Sequence, residues 1–239
     1  MKKNALIVGC VATVALCTLA GADTVTSPTI QLDMTVGGMR NVWSDSFGVT
    51  SANSTLWNFD GKEKNSNGGM KYDIYADPDP ILGFDFSFFN NTGITQTFNV
   101  IVTLPVGAWA NGTNIGASIG ASVTDADFSG NAVLSSVGGG SIFEGKIDGS
   151  TWLPLFNNVS VAAPFTGGTS TISDVDGLPG PSNGGPFSVT TDISVTLTFD
   201  LTAGDRASFT GVFIVEYVPA PAGALAFLGL GVVGRRRRN

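Results

Sequence analysis

Histidine is absent from the 239 residues of this chain. Without it there is no Ser-His-Asp or Cys-His relay and no imidazole-ligated zinc. Cysteine is nearly absent. Cys10 and Cys17 are the two thiols, and both precede Ala20. A chain trimmed behind them has no disulfide to staple it and no thiol to act as nucleophile or ligand. Charge is scarce as well, at 13% of residues, and one sign dominates. Between Asp23 and Tyr217 stand six basic residues, Arg40, Lys62, Lys64, Lys71, Lys146 and Arg206. They face all 19 acidic ones, a net charge of −13. Such a surface repels phosphate backbones, so no nucleic acid is expected as a partner. Between the two ends no stretch carries a 3.6-residue apolar period, the mark of an amphipathic helix.

What is present at the N-terminus is a basic pair, Lys2 and Lys3, then an apolar run over 5–19 that closes on Ala20-Gly21-Ala22. These are the three parts of a secretory signal peptide, with cleavage expected after Ala22 and a mature chain beginning at Asp23. The run is short of the roughly 20 residues of a spanning helix, which argues against a retained anchor. Ile7-Val8-Gly9-Cys10 has the look of a lipobox but leaves too little apolar sequence ahead of the thiol.

The body, 23–217, is read from its alternation. Ile193, Val195, Leu197, Phe199 and Leu201 interleave with Asp192, Ser194, Thr196, Thr198 and Asp200. A period of two predicts a strand with one face buried and one wet. The pattern recurs at Ile30/Leu32/Met34/Val36, Leu82/Phe84/Phe86/Phe88, Phe98/Val100/Val102/Leu104, and through Ala207/Phe209 to Phe213/Val215/Tyr217. Weaker strands are expected at 71–75, 115–123, 141–147 and 159–161. Asn90-Asn91-Thr92-Gly93 and Thr202-Ala203-Gly204-Asp205 are expected to close hairpins, since their residues tolerate positive φ. Residues 167–186, rich in Gly, Pro and Ser, read as a long surface loop. About ten strands with polar turns predict an all-β fold, an antiparallel β-sandwich of jelly-roll or immunoglobulin-like outline.

The tail, 218–239, is the most specific stretch. Val218-Pro219-Ala220-Pro221 ends the last strand, because proline cannot donate to a ladder. An uncharged, mostly apolar segment over 222–234 follows, expected as a short helix, and Arg235, Arg236, Arg237 and Arg238 close it. Four arginines resist crossing a bilayer and are expected on the cytoplasmic side, with the body outside. This order of Pro motif, apolar segment and arginine cluster resembles the PEP-CTERM sorting signal of exported bacterial proteins. The resemblance implies recognition at Val218, Pro219 and Pro221 by an exosortase-like processing enzyme of the membrane. Ala220 stands where that family has Glu. An ordinary short tail anchor shares the same physics and predicts the same topology.

Catalytic chemistry is sought and not found. Gly116-Ala117-Ser118-Ile119-Gly120 matches the nucleophile-elbow pattern, but no histidine exists to activate Ser118. Gly229, Gly231 and Gly234 match the dinucleotide fingerprint without a strand-helix-strand unit around them. Glu63, Glu144 and Glu216 are the glutamates from which a glycosidase pair could be drawn, and nothing places two of them across a cleft. The chain reads as a non-enzyme. Calcium is the one cofactor suggested, at Asp125 and Asp127 or at Asp174 and Asp176, where carboxylates two residues apart lie near Gly. Plain turn chemistry accounts for the same spacing. Trp43, Trp57, Trp109 and Trp152 serve either the core or a sugar-stacking platform, and Asn53, Asn90, Asn111 and Asn158 begin N-x-Ser/Thr sequons. The expected function is an exported cell-surface or matrix-associated protein with a structural or adhesive role. Its expected partners are the export machinery, the membrane and the processing enzyme. The alternative is a carbohydrate-binding module that takes a surface polysaccharide.

Overall fold

The computed structural model describes residues 27–45, 48, 55–78, 80–110 and 112–218. The signal-peptide residues Ala20 and Ala22, the tail from Pro219 onward with Pro221 and Arg235 to Arg238, and the apolar segment expected as a helix lie outside them. Among the described residues no helix is long and apolar enough to cross a membrane.

The chain runs through β1 (Ile30–Val36), β2 (Met39–Asp45), β3 (Trp57–Lys64), β4 (Gly68–Asp77), β5 (Ile81–Asn90) and β6 (Gln96–Pro105). There follow β7 (Trp109–Ala110), β8 (Thr113–Thr124), β9 (Val133–Ser136), β10 (Ser141–Ile147), β11 (Ser150–Asn157) and β12 (Ser160–Ala162). The last are β13 (Thr169–Asp176), β14 (Asn183–Gly184), β15 (Ser188–Val189), β16 (Asp192–Leu201) and β17 (Arg206–Tyr217). Every pairing is antiparallel. The first sheet runs β11-β10-β16-β6-β1-β2, with β9 and β12 attached, and the second runs β13-β8-β17-β5-β4-β3, with β14 attached.

The two sheets share one apolar core, in a sandwich-like, all-β arrangement. Phe88 on β5 and Phe209 on β17 come from one sheet, Phe98 on β6 and Phe199 on β16 from the other. Phe88 meets Phe199 edge-on at 5.0 Å, Phe98 stacks on Phe199 at 5.2 Å, and Phe199 meets Phe209 at 4.8 Å. Such aromatic pairs add about 0.5–1.5 kcal/mol each beyond the area they bury. This cross-sheet cluster ties the two sheets together.

Several expectations are corrected. Neither Asn90-Asn91-Thr92-Gly93 nor Thr202-Ala203-Gly204-Asp205 closes a hairpin. β5 and β6 lie in different sheets, as do β16 and β17, so both connections are arches that carry the chain across the core. Turn residues permit either route, and alternation does not say which strand a neighbour pairs with. The segment 167–186 is not one loop, because it contains β13 and β14. The register of β13 against β8 runs from Thr169↔Thr124 to Asp176↔Ala117, so its polar residues are ordered by ladder bonds rather than by burial. β16 is not wet on one face in its middle. Ser194 and Thr196 are buried, flanked in register by Lys146 and Glu144 on β10 and by Thr103 and Ile101 on β6. Tyr217 is exposed at the end of β17 rather than inward. β11 escapes an alternation search because Pro154 interrupts it, which an edge strand tolerates.

Candidate functional site

Of the four aspartates singled out for calcium, the fold brings two together and separates the others. β8 and β17 pair with Thr124 opposite Arg206, so the residues just beyond, Asp125 and Asp205, meet at one end of the second sheet. Asp127 joins them. Carboxylate oxygens of Asp125, Asp127 and Asp205 lie within 4.8 Å of one another. Asp205 was missed from sequence because its partner is eighty positions away, and only the β8–β17 register reveals it. Asp174 and Asp176 lie on β13, where the Phe156 amide donates to Asp174 Oδ2 at 3.0 Å, supporting a Phe156 with φ of 56°.

The cluster is bound tightly to its own backbone. Asp125 Oδ2 accepts from the amides of Gly130 at 2.9 Å and Gly167 at 2.8 Å, and Oδ1 accepts from that of Ser129 at 3.1 Å. Asp127 Oδ1 accepts from the Ser129 amide at 2.9 Å. Asp205 Oδ1 accepts from the Ala126 amide at 3.2 Å and Oδ2 from the Thr202 hydroxyl at 2.6 Å. The arch at Gly204 passes so close that a Cβ there would stand 2.6 Å from Asp127 Oδ2, and its φ is +72°. The positive φ favours glycine, and a side chain there would also force Asp127 to shift. Most lone pairs of Asp125 are thus spent on amides, and the geometry is that of a clasp closing three loops. A hard cation would draw on the same oxygens.

Burial pushes the Asp205 carboxyl above its ordinary 3.8, against the Thr202 hydroxyl and the Ala126 amide, and the charges of Asp127 and Asp125 add to the push. Burial opposes ionisation of Asp125 as well, but the amides of Gly167, Gly130 and Ser129 and the contact with Asp127 outweigh it, and its carboxyl lies below 3.8. Asp148 follows Asp125: burial raises it, the amides of Thr191, Thr190 and Asp192 outweigh that, and it ends low. The signs differ in consequence. The native state holds the Asp205 proton more tightly than the unfolded chain, so that contribution is full below pH 3.8 and is lost as pH rises through the raised value. The contributions of Asp125 and Asp148 are present above pH 3.8 and lost as pH falls through their lowered values. Asp205→Asn removes the first dependence. Its melting temperature should gain on that of the parent as pH is raised from 3.8 toward 7. A difference that stays constant over that interval would show that the Asp205 carboxyl is not perturbed.

The other candidates are placed as follows. Ser118 lies in the middle of β8, opposite Val212 and Val175, with no strand-to-helix turn to make an elbow. Glu144 is paired with Lys146 at 2.9 Å. Trp57 is in the core, Trp109 packs against it, and Trp152 is exposed, so these three do not line one open face. Asn90, a sequon residue, is buried, and its amide donates to the carbonyls of Ile94, Leu201 and Thr202 at 2.8, 2.9 and 2.9 Å. Val218 closes the body, its amide donating to the Gly112 carbonyl at 3.1 Å. Comparison with protein-family models and with curated proteins finds no match to this chain.

Proposed function

We propose that this chain is an exported bacterial-type surface or matrix protein with a structural or adhesive role, delivered by a cleaved signal peptide and sorted by its C-terminal tail. The observation that carries the reading is the order at the end of the chain. β17 is the core strand between β8 and β5, the last backbone bond among the described residues is that of Val218, and Pro219-Ala220-Pro221 follows in the sequence. Val218, the first residue of the sorting motif, is thus also the last of the described body, and the rest of the motif follows it directly in sequence. The body is all-β and free of histidine, which fits a scaffold better than a catalyst. A jelly-roll is the outline that fits the wrapping best, since the β5–β6 and β16–β17 arches lie side by side, β6 on β16 in one sheet and β5 on β17 in the other.

The arginines are the test. Each costs roughly 2.5–3.5 kcal/mol at a helix centre, so four in a row act as a stop for an apolar segment this short. Replacing Arg235, Arg236, Arg237 and Arg238 with Ser should shift unprocessed protein out of the membrane fraction, as followed by fractionation, antibody to the body and mass of the tail. A replacement mutant distributed like the parent, with its tail intact, would remove the sorting role.

A further inference from the structure

The outer face of the second sheet gathers cations in a body that has few. A cleft of about 430 Å³ is lined by Lys62, Lys64, Lys71 and Arg206 together with Ser87 and Phe89, and by Glu63, Met70 and Phe88 of the alternate, inward-facing row. These are four of the six basic residues between Asp23 and Tyr217. The register puts them there. Lys62 stands opposite Lys71 and Lys71 opposite Ser87, while one step along, Lys64, Gly69, Phe89 and Arg206 form the next outward row. None of the four is in an ion pair with another described residue. Among the described residues the pairs are Arg40 with Asp33 and Lys146 with Glu144. Two ammonium groups facing each other across neighbouring strands destabilise a sheet modestly. The nearest outward carboxylates, Asp60 and Asp73, stand in the adjacent row and form no ion pair with Lys62 or Lys71, which leaves the ammonium groups free to meet an external anion.

The floor of the cleft is aromatic. A Cβ at Gly69 would stand 2.5 Å from Phe89 Cζ, so the Phe89 ring lies across the glycine, half-buried between Lys64 and Arg206 in register. Beside the cleft, sharing Lys71 and Ser87 with it, is a second of about 460 Å³ lined by Asn58, Asp60, Asp73 and Asp85. Asp60, Asp73 and Asp85 form one row across β3, β4 and β5. The face therefore offers, in order, carboxylate acceptors, ammonium donors and an aromatic plate.

We propose that this face is a binding site for an acidic polysaccharide. Carboxylate or sulfate groups of the sugar are held by Lys62, Lys64, Lys71 and Arg206, a sugar ring lies on Phe89, and sugar hydroxyls donate to Asp60 and Asp85, Asp73 between them being engaged by the Asn58 amide and the Tyr75 hydroxyl. A peptide strand would add through main-chain bonds at the edge of β3, beside the sheet, rather than lie across the outward face that carries both rows. A hydroxylated chain with spaced acid groups matches both rows. With screening over roughly 8 Å at physiological salt, the acidity of the rest of the body does not cancel the local attraction. The site lies in the body, so the inference goes beyond the sorting reading and stands or falls independently of the tail.

The test is calorimetric titration of the full chain, in mild detergent, with oligogalacturonate, sulfated dextran oligosaccharide, neutral cello-oligosaccharide and polyglutamate. Binding is expected for the uronate, the sulfated sugar or both, which distinguishes the acid group, and should weaken as salt is raised. Lys62→Glu with Lys71→Glu should weaken it by about tenfold or more, while Lys146→Glu, elsewhere on the body, leaves it unchanged. Should the double reversal fail to fold, Lys71→Gln and Arg206→Gln singly should each weaken binding severalfold. No acidic sugar binding at millimolar concentration, binding indifferent to these substitutions, or polyglutamate bound as tightly as the sugars would each overturn the proposal, the last in favour of an acidic polypeptide partner.

Discussion

Asn90→Asp should lower the stability of the body by about 3–5 kcal/mol, because it removes a buried donor and installs a charge among carbonyls. The Asn90 amide lies where the two arches run side by side. It donates to Leu201 and Thr202 of one arch and to Ile94 of its own, its Oδ1 accepts from the Thr92 amide at 3.0 Å, and its backbone N–H donates to the Asp205 carbonyl at 3.0 Å. An aspartate keeps the shape and the acceptor but leaves three carbonyls facing a carboxylate. Urea unfolding of Asn90→Asp and of Asn91→Asp, on the exposed neighbour, gives the measurement. The first should show a much lower midpoint with an unchanged slope, and the second should stay within about 0.5 kcal/mol of the parent, as exposed substitutions do. Equal effects at the two positions would mean that the arches do not depend on this amide. The same burial bears on glycosylation: an oligosaccharide on Asn90 would need the nitrogen that the arches consume.

Deleting residues 222–238 should release the body in soluble form with its stability unchanged to within about 1 kcal/mol. β17 pairs along its length with β8 and, through Ile214, with β5, and its inward residues Phe209, Phe213 and Val215 are all buried upstream of the cut. The four residues from Val218 to Pro221 are kept, so the closing bond from Val218 to Gly112 survives. The expected result is transfer of the protein from the membrane fraction to the medium together with an unfolding midpoint matching that of the processed parent. A truncated chain that aggregates, or melts well below the parent, would show that the tail is part of the fold. A parent distributed like the deletion mutant, tail intact, would show that it does not anchor or sort.

The alternation of β1, β5, β6, β16 and β17 is written plainly in the sequence, and their inward residues lie in the core as the period of two requires. Composition likewise sufficed to set aside histidine-based chemistry, since an absent residue is absent in any fold. Partner choice was not legible. A period of two marks a face, but the energy that selects between a hairpin and an arch comes from Phe88, Phe199 and Asn90 meeting residues far away in the chain. β3 and β13 were hidden for a related reason. Lys62, Lys64 and the polar residues of β13 bury little, and they are strands because a neighbour supplies the ladder. The sites follow the same division. Asp125 and Asp127 could be chosen from their spacing, but Asp205 joins them only through the β8–β17 register. Lys62, Lys64, Lys71 and Arg206 are scattered along the chain, and β3, β4, β5 and β17 bring them to one cleft. Local chemistry is encoded residue by residue. Proximity across strands is set by register, which is a property of the whole packed sheet.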